Sequence, residues 1–347
     1  MLEWLQKAVE EEASDIFIGA GRCISFKIRG KLEKKTENII KPAEAEALIR
    51  ELYEFAKRPI ERMATGDDDF PLTIPGLARF RINVYRQRST MAAIVRVVQF
   101  NIPSYSDLSI PEKVMSAANE TDGLVLVTGP AGGGKSTTLA CVIDAINKTR
   151  SCHIITIEDP IEFLHRDNQS IISQREIFTD TESYDVALRA SLRQVPDVIL
   201  VGEMRDFETI RTAVTAGETG HLVISTLHTV GAANTIDRII DTFPSNQHQQ
   251  IRVQLSMVLR MVISQKLIQD VNGKTVPVFE VMRVNNAISN LIREAKTHQI
   301  DNVIKTSSGE GMIGMDTYIY KLYTDGIITR ETALASAMNT EQMQRKL

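Results

Sequence analysis

The spacing of hydrophobic positions gives different parts of the chain different characters. In the first hundred residues, short β-type runs at residues 25–30 and 94–98 mix with a helical pattern at residues 41–57. From residue 123 onward compact apolar runs alternate with helical patterns, and after residue 265 the pattern becomes mainly helical. Such alternation is typical of a mostly parallel sheet with helices on both faces. We therefore predict an α/β fold.

The same patterns predict individual elements and domain limits. Apolar runs predict strands at residues 123–128, 153–157, 197–201 and 221–225. Helical periodicity predicts helices at residues 139–146, 184–194, 207–216, 285–296, 316–323 and 330–338. Prolines and serines in NIPSYSDLSIP, residues 101–111, predict a linker. We expect an α+β domain over residues 1–100, a linker and lead-in over 101–122, an α/β core over 123–269, and a mainly helical subdomain over 270–347.

A glycine-rich loop, GPAGGGKSTT, lies between a predicted buried strand and a predicted helix. Its spacing matches the phosphate-binding P-loop, in which backbone N–H groups and a helix N-terminus surround the phosphates. Lysine then reaches the β- and γ-phosphates, and the serine hydroxyl binds Mg²⁺. The predicted nucleotide-binding residues are Gly129, Pro130, Ala131, Gly132, Gly133, Gly134, Lys135, Ser136 and Thr137.

Two acidic segments supply candidates for the metal and water chemistry of hydrolysis. The apolar run DVILVG ends at Glu203, which is the Walker B pattern and places a carboxylate at the carboxyl end of a strand. The segment IEDPIE adds Glu158, Asp159 and Glu162 after another strand. One of these three can act as general base on the attacking water, and we favour Glu162. A surface turn is the alternative, because Asp-Pro is common in turns.

Histidines and arginines complete the candidate site. His221 and His228 flank a predicted strand, with Glu218 just upstream, and their spacing is not that of a zinc site. A neutral imidazole can instead donate to the γ-phosphate or to Glu203 and so sense the nucleotide, although each histidine taken alone fits a structural role. Arginines before the linker fit a solvated face or arginine fingers supplied across a domain or subunit boundary; the candidates are Arg79, Arg81 and Arg96.

Composition narrows the class of protein. A net charge of −4 and a pI near 6.0 give no global attraction to nucleic acid. The three cysteines have no paired spacing, so we expect neither a disulfide framework nor structural zinc. The first residues lack the pattern of a signal peptide, and no apolar run is long enough to span a membrane. We therefore expect a cytoplasmic protein.

Four motifs together resemble those of the secretion-type ATPases, and within that family the branch that retracts type IV pili in twitching motility. GPAGGGKSTTLA resembles the Walker A box, ITIEDPIEF the Asp box, DVILVGEMRD the Walker B box and TAGETGHLVISTLHT the His box, all in the family's order. The segments ASDIFIGAG and RFRINVYRQ resemble the family's amino-terminal PAS-like domain, and AISNLIRE resembles the retraction motif AIRNLIRE. In the latter, Ser289 replaces an arginine.

The resemblance implies a homohexameric ring of RecA-like P-loop NTPase cores that hydrolyses ATP with Mg²⁺. It assigns phosphate and Mg²⁺ binding to Lys135, Ser136 and Thr137, water activation to Glu162, and Mg²⁺ with its water to Glu203. The resemblance also implies that His221 and His228 contact the nucleotide. It offers Arg79, Arg81 and Arg96 as candidates for arginine contacts with the nucleotide. The implied partners are an inner-membrane platform protein and the pilus base, which would hold the ring peripherally against the inner face of the cytoplasmic membrane.

Other functions stay open on the sequence alone. A pilus assembly or type II secretion ATPase, or an accessory retraction paralogue, shares the same core. The tetracysteine zinc module and longer amino-terminal region usual in the assembly branch are not found in this sequence. A nucleic-acid motor fits less well because basic grooves interleaved with aromatic residues are missing. A nucleotide-gated binding protein without turnover is a further alternative.

Overall fold

The computed structural model describes residues 1–28, 30–60, 66–98 and 102–347, which form two compact units. The first unit comprises Met1–Asn101 together with Glu162–Leu164. The second comprises Ile102–Ile161 and His165–Leu347. The domain boundary predicted at residues 100 and 101 lies outside the described residues. Among the described helices, none combines the length and apolar character needed to cross a lipid bilayer.

The first unit is an α+β domain built on an antiparallel sheet. Its helices are α1 (Leu2–Glu10) and α2 (Pro42–Phe55), and its strands are β1 (Asp15–Gly19), β2 (Ser25–Ile28), β3 (Lys31–Lys34), β4 (Asp67–Ile74), β5 (Ala78–Gln87) and β6 (Thr90–Val98). The strand order is β3-β2-β1-β6-β5-β4. Proline at the first position of α2 suits a helix start, because the N–H that it lacks has no partner within the helix there. Buried Ile49 and Leu52 of this helix pack in one core with Phe26 and Phe80.

The second unit holds a seven-stranded sheet, and its elements follow in chain order. The strands are β7 (Gly123–Thr128), β8 (His153–Glu158), β9 (Ile171–Glu176), β10 (Val198–Val201), β11 (Leu222–Leu227), β12 (Leu259–Gln269) and β13 (Thr275–Arg283). The helices are α3 (Glu112–Met115), α4 (Lys135–Thr149), α5 (Tyr184–Ser191), α6 (Phe207–Glu218), α7 (Ala232–Asp241), α8 (His248–Val258), α9 (Asn286–Arg293), α10 (Ile300–Thr306), α11 (Met315–Thr324), α12 (Arg330–Ser336) and α13 (Thr340–Lys346).

This sheet is parallel except for its last strand. The order is β13-β12-β7-β11-β10-β8-β9, and only the pair of β12 with β13 is antiparallel. All six residues of β7 are buried, which is typical of a parallel strand covered on both faces. Separate hydrophobic cores lie on the two faces, one around Leu126 and Ile199 and the other around Val127 and Ile143. The α/β class predicted from the sequence is confirmed.

The strand β13 was not predicted, because residues 270–347 read as mainly helical. It carries Pro277, which cannot donate to a strand ladder and argues against a central strand. The structure places β13 at the edge of the sheet, where one side of the strand needs no ladder partner. The remainder of this segment is helical, as expected.

The motif that resembles AIRNLIRE forms α9. Asn285 caps this helix, its side-chain oxygen accepting from the N–H of Ile288 at 3.0 Å. The apolar side of this helix faces the core, since Ile288 and Ile292 have no exposed surface. Ser289 donates to the carbonyl of Ser256 on α8 at 3.0 Å, so the residue that departs from the motif joins two helices.

Candidate active site

The glycine-rich loop connects the buried strand β7 to α4, and its backbone is shaped by close approach to β12. A Cβ atom on Gly129 would lie 2.0 Å from the carbonyl oxygen of Gln265. Gly134 has φ +81° and is the N-cap of α4, a left-handed conformation that residues with side chains rarely adopt. The first N–H groups of α4 therefore point into the loop without a side chain in the way, which is the arrangement that binds phosphate.

Lys135 is the first residue of α4, and its buried side chain turns back over the loop. The Nζ atom donates to the carbonyl oxygens of Gly129 and Pro130, each at 3.0 Å. It also lies 3.3 Å from Nδ1 of His228. A phosphate group is a stronger acceptor than a carbonyl, so this cation is placed to exchange these contacts for an anion.

Gln265 on β12 contacts the helix that follows the loop. Its Oε1 atom accepts from the hydroxyl of Thr138 at 2.7 Å, and Gln265 is 2% exposed. Sequence analysis did not find this residue. The available signal was the polar pair Ser264-Gln265 within the otherwise apolar start of β12. Because the bond is buried, its loss would leave the Thr138 hydroxyl without a partner beside the P-loop.

Glu203 follows β10, at the same carboxyl edge of the sheet as the P-loop. Thr226 on β11 binds the residues on either side of Glu203. The Thr226 hydroxyl donates to the carbonyl of Gly202 at 2.6 Å, and the Thr226 carbonyl accepts from the N–H of Met204 at 3.2 Å. The position of the Glu203 backbone is thus fixed by the neighbouring strand.

The carboxylate of Glu203 is partly buried and carries two charge-assisted contacts. Oε2 lies 2.7 Å from a guanidinium nitrogen of Arg205, and Oε1 lies 3.1 Å from Nε2 of His228. Burial alone would raise the pKa of Glu203, but the contacts with Arg205 and His228 outweigh burial and hold the pKa below its usual value. Glu203 is therefore ionised at neutral pH, as a Mg²⁺-binding group must be.

His228 joins Lys135 to Glu203 through the two nitrogens of one ring. An ammonium group can only donate, so Nδ1 accepts from Lys135 and must carry no proton. The proton then resides on Nε2 and is donated to the carboxylate of Glu203. The ring therefore connects the phosphate-binding lysine to Glu203, and a change at Lys135 would be felt at Glu203 through it.

The structure does not place Glu218 and His221 beside these groups within one subunit. His221 precedes β11 and His228 follows it, so the strand separates the two histidines by about 20 Å, at about 3.3 Å per residue. Nδ1 of His221 lies 3.0 Å from the Thr219 hydroxyl and 3.1 Å from the carbonyl of Ala216. Glu218 at the end of α6 accepts from Gln254 of α8.

The Asp box divides between the two units. Glu158 and Asp159 belong to the second unit, where Oε1 of Glu158 accepts from Thr156 at 2.6 Å and from Gln174 at 3.2 Å. Glu162 is exposed and groups with the first unit. A buried carboxylate that sequence analysis missed, Glu176, accepts from the N–H of Ile161 at 3.1 Å and so fixes the residue just before Glu162.

The three candidate arginines lie on β5 and β6 of the first unit. Arg81 forms a bidentate pair with Asp69, with a shortest distance of 2.5 Å. Arg96 contacts Asp15 at 2.9 Å while its own side chain is 66% exposed. Arg79 and Arg81 occupy alternate positions of β5 and share one face of the sheet.

Comparison with known proteins gives consistent results across sequence and structure. Residues 1–304 match the model of the family described as type II/IV secretion system protein. The chain is 41% identical over 336 residues to the "Type IV pilus retractation ATPase PilT" of Pseudomonas aeruginosa, covering 96% of this chain and 97% of the relative. It is 48% identical over 277 residues to a "Twitching motility protein" of Neisseria gonorrhoeae, covering 79% and 74%. A crystal structure of the pilus retraction motor PilT with bound ADP superposes with a TM-score of 0.90 at 42% identity, covering 99% of both chains.

Proposed function

The chain belongs to the type II/IV secretion system protein family, and from that premise we propose that it is an ATPase motor that powers retraction of type IV pili. The observation that carries the proposal is the Lys135–His228–Glu203 arrangement at the carboxyl edge of the sheet. It joins a phosphate-binding lysine to a carboxylate through the two nitrogens of one imidazole ring. Relatives named for pilus retraction and twitching motility, aligned over most of the chain, support the biological role.

We assign nucleotide binding to the P-loop and hydrolysis to Glu203 and the acids of the Asp box. The residues fit Mg²⁺: Ser136 and the ionised Glu203 would hold it, the latter partly through water, and the ion would neutralise charge on the phosphates. Lys135 would bind the β- and γ-phosphates. The other loop residues, from Gly129 to Thr137, would contribute to nucleotide binding as well. Glu162 is our candidate for activating the attacking water, with Glu158 and Asp159 as alternatives.

We further propose that the working form is a homohexameric ring on the cytoplasmic side of the inner membrane, against a platform protein at the pilus base. Glu218 and His221 lie a strand length from the P-loop of their own subunit. If they contact nucleotide, the site they serve is on a neighbouring subunit. Arg79, Arg81 and Arg96 are our candidates for arginine fingers, supplied across a domain or subunit boundary. Sedimentation at assay concentration tests the ring, and a fully active monomer would contradict it.

The decisive experiment combines turnover with pilus behaviour. Purified protein is expected to release phosphate steadily from ATP, whereas Glu203→Gln and Glu162→Gln should bind ATP with turnover lowered by about 10². Binding without turnover in the wild type would indicate a nucleotide-gated binding protein instead, and stimulation by nucleic acid would indicate a nucleic-acid motor.

Deletion of the gene in its own host separates retraction from assembly. A retraction ATPase is needed only to withdraw pili, so the deletion strain should keep surface pili and lose twitching. Restoring the wild-type gene should restore twitching, and the Glu203→Gln gene serves as the matched control that should not. Loss of surface pili in the deletion strain would contradict retraction and indicate an assembly ATPase.

A further inference from the structure

A buried carboxylate on β13 binds two helix N-termini at once. Oε1 of Glu280 accepts from the N–H of Ala232 at 2.8 Å, at the start of α7. The backbone amide of Met315, the first residue of α11, also lies close enough to Glu280 to favour its ionised form. Glu280 is 7% exposed. A negative charge at a helix N-terminus is stabilised by the helix dipole and by N–H groups that have no partner within the helix.

Neither helix supplies its own cap. The N-cap residues are Gly231 for α7 and Gly314 for α11, and glycine offers no side-chain acceptor. The acceptor comes instead from a strand that is 48 residues away from Ala232 along the chain. A substitution of Glu280 therefore removes the acceptor at the start of α7 and the carboxylate beside the start of α11.

The cross-strand neighbour of Glu280 binds the adjacent N–H group of the same loop. Ser264 on β12 pairs in register with Glu280, and its hydroxyl accepts from the N–H of Gly231 at 2.9 Å. Two successive N–H groups, of Gly231 and Ala232, are thus held by two facing side chains of one hairpin. This anchor begins three residues after His228, whose ring joins Lys135 to Glu203.

We propose that Glu280 is a positioning residue for hydrolysis: with Ser264 it fixes the loop that carries His228, and through Met315 it ties that loop to the C-terminal helices. Burial raises the pKa of Glu280, and the N–H groups of Ala232 and Met315 oppose that rise. The tie extends further, since Asp316 in the first turn of α11 accepts from the N–H groups of Met338 and Asn339, at 2.6 and 2.9 Å, just before α13. The part of this inference that is tested by kcat and KM rests on the proposed ATPase function.

Glu280→Gln is the primary variant, because an amide keeps one oxygen acceptor and replaces the other with an NH₂ donor. The neutral amide also removes the negative charge that the helix N-termini stabilise. We expect kcat for ATP to fall by about 10- to 100-fold, since small displacements near reacting groups cost that much. KM should change by less than about threefold, because the P-loop contacts are untouched.

Thr297→Val is the matched control. Thr297 is 6% exposed and its hydroxyl donates to Asp237 of α7, so it also joins α7 to the C-terminal part of the chain, but away from the His228 loop. If general packing of α7 were all that mattered, both variants would lose activity in proportion to their loss of thermal stability. We expect the control to keep the wild-type kcat. Should Glu280→Gln fail to fold, Ser264→Ala removes only the Gly231 contact and is expected to lower kcat with KM unchanged.

Hydrogen exchange gives a readout that needs no turnover. The amide of Met315 and the first turn of α11 should exchange faster in Glu280→Gln than in the wild type, with or without ADP. In the wild type we expect the exchange protection of this turn to differ between the ADP state and a non-hydrolysable ATP analogue. That difference should disappear in Glu280→Gln. Wild-type kcat together with wild-type exchange in Glu280→Gln would overturn the inference. A wild-type protein that does not hydrolyse ATP would instead refute the proposed function, while the exchange comparison would still decide the role of Glu280.

Discussion

His165 leads to a prediction about stability against pH. Its ring is mostly buried, and within the described residues its Nδ1 atom has no hydrogen-bond partner. Burial lowers the pKa of His165 from 6.5 to about 4, against a smaller opposing effect of Asp144. The folded protein therefore keeps a neutral imidazole under mildly acidic conditions in which the unfolded chain takes up a proton.

The sign and size of the effect follow from these two pKa values. Above pH 6.5 both states are neutral and the group does not change the free energy of unfolding. As the pH falls from 6.5 to about 4, the unfolded state is favoured increasingly. At pH 5 the difference is a factor of roughly 30 in the unfolding equilibrium, or about 2 kcal/mol.

The assay compares the wild type with His165→Gln in urea at pH 8 and at pH 5. The substitution has a cost of its own at pH 8, but the change in the difference between the two proteins isolates the histidine, because all other titrating groups are shared. That change should be about 2 kcal/mol in favour of the variant at pH 5. Trp4 is the single tryptophan and lies in the first unit, so its fluorescence reports that unit alone and is an internal control, while circular dichroism follows the helices and strands of both units. An equal difference at both pH values would refute the reasoning.

Three further outcomes are expected. Lys135→Ala should weaken ATP binding by about 10- to 100-fold in calorimetry, since a charged hydrogen bond contributes roughly 1.5–3 kcal/mol; wild-type affinity would contradict the P-loop assignment. Val195 has φ +52° and is 85% exposed, so Val195→Asn should raise the free energy of unfolding by about 1 kcal/mol in urea titration, because asparagine tolerates this conformation better. If the exposed face of α9 transmits force rather than taking part in hydrolysis, Arg293→Ala should keep normal ATPase activity while the strain loses twitching; normal motility would remove a force-transmitting role from Arg293.

The residues that the sequence could predict are those whose chemistry is encoded locally. The P-loop, the strand before it and the helix after it form one continuous stretch, and spacing alone identifies Lys135 and Ser136. Glu203 is similar, because an apolar strand that ends in an acid is a local pattern. Its partnership with His228 was one of two possibilities raised from the sequence, and the structure contains that contact.

His221 illustrates what a local pattern does not determine. Two histidines that flank one strand are close in sequence, yet they lie at opposite ends of the sheet. A strand extends by about 3.3 Å per residue, so separation in space grows quickly with the number of residues. Only the direction of the parallel sheet tells which histidine shares an edge with the P-loop.

Gln265 and Glu280 were missed for a different reason, which also explains why they are sensitive positions. Each is a polar residue inside an apolar strand, and its partner is 127 residues away for Gln265 and 48 for Glu280. No spacing rule connects such pairs, since register between strands is set by the folded sheet. Burying a polar side chain is costly unless it is hydrogen-bonded. The burial of Gln265 and Glu280 is tolerated because each accepts a hydrogen bond, from a hydroxyl and from a backbone N–H respectively. Those donors belong to the P-loop helix and to the loop after His228, so polar residues of β12 and β13 anchor two segments that adjoin the candidate nucleotide site.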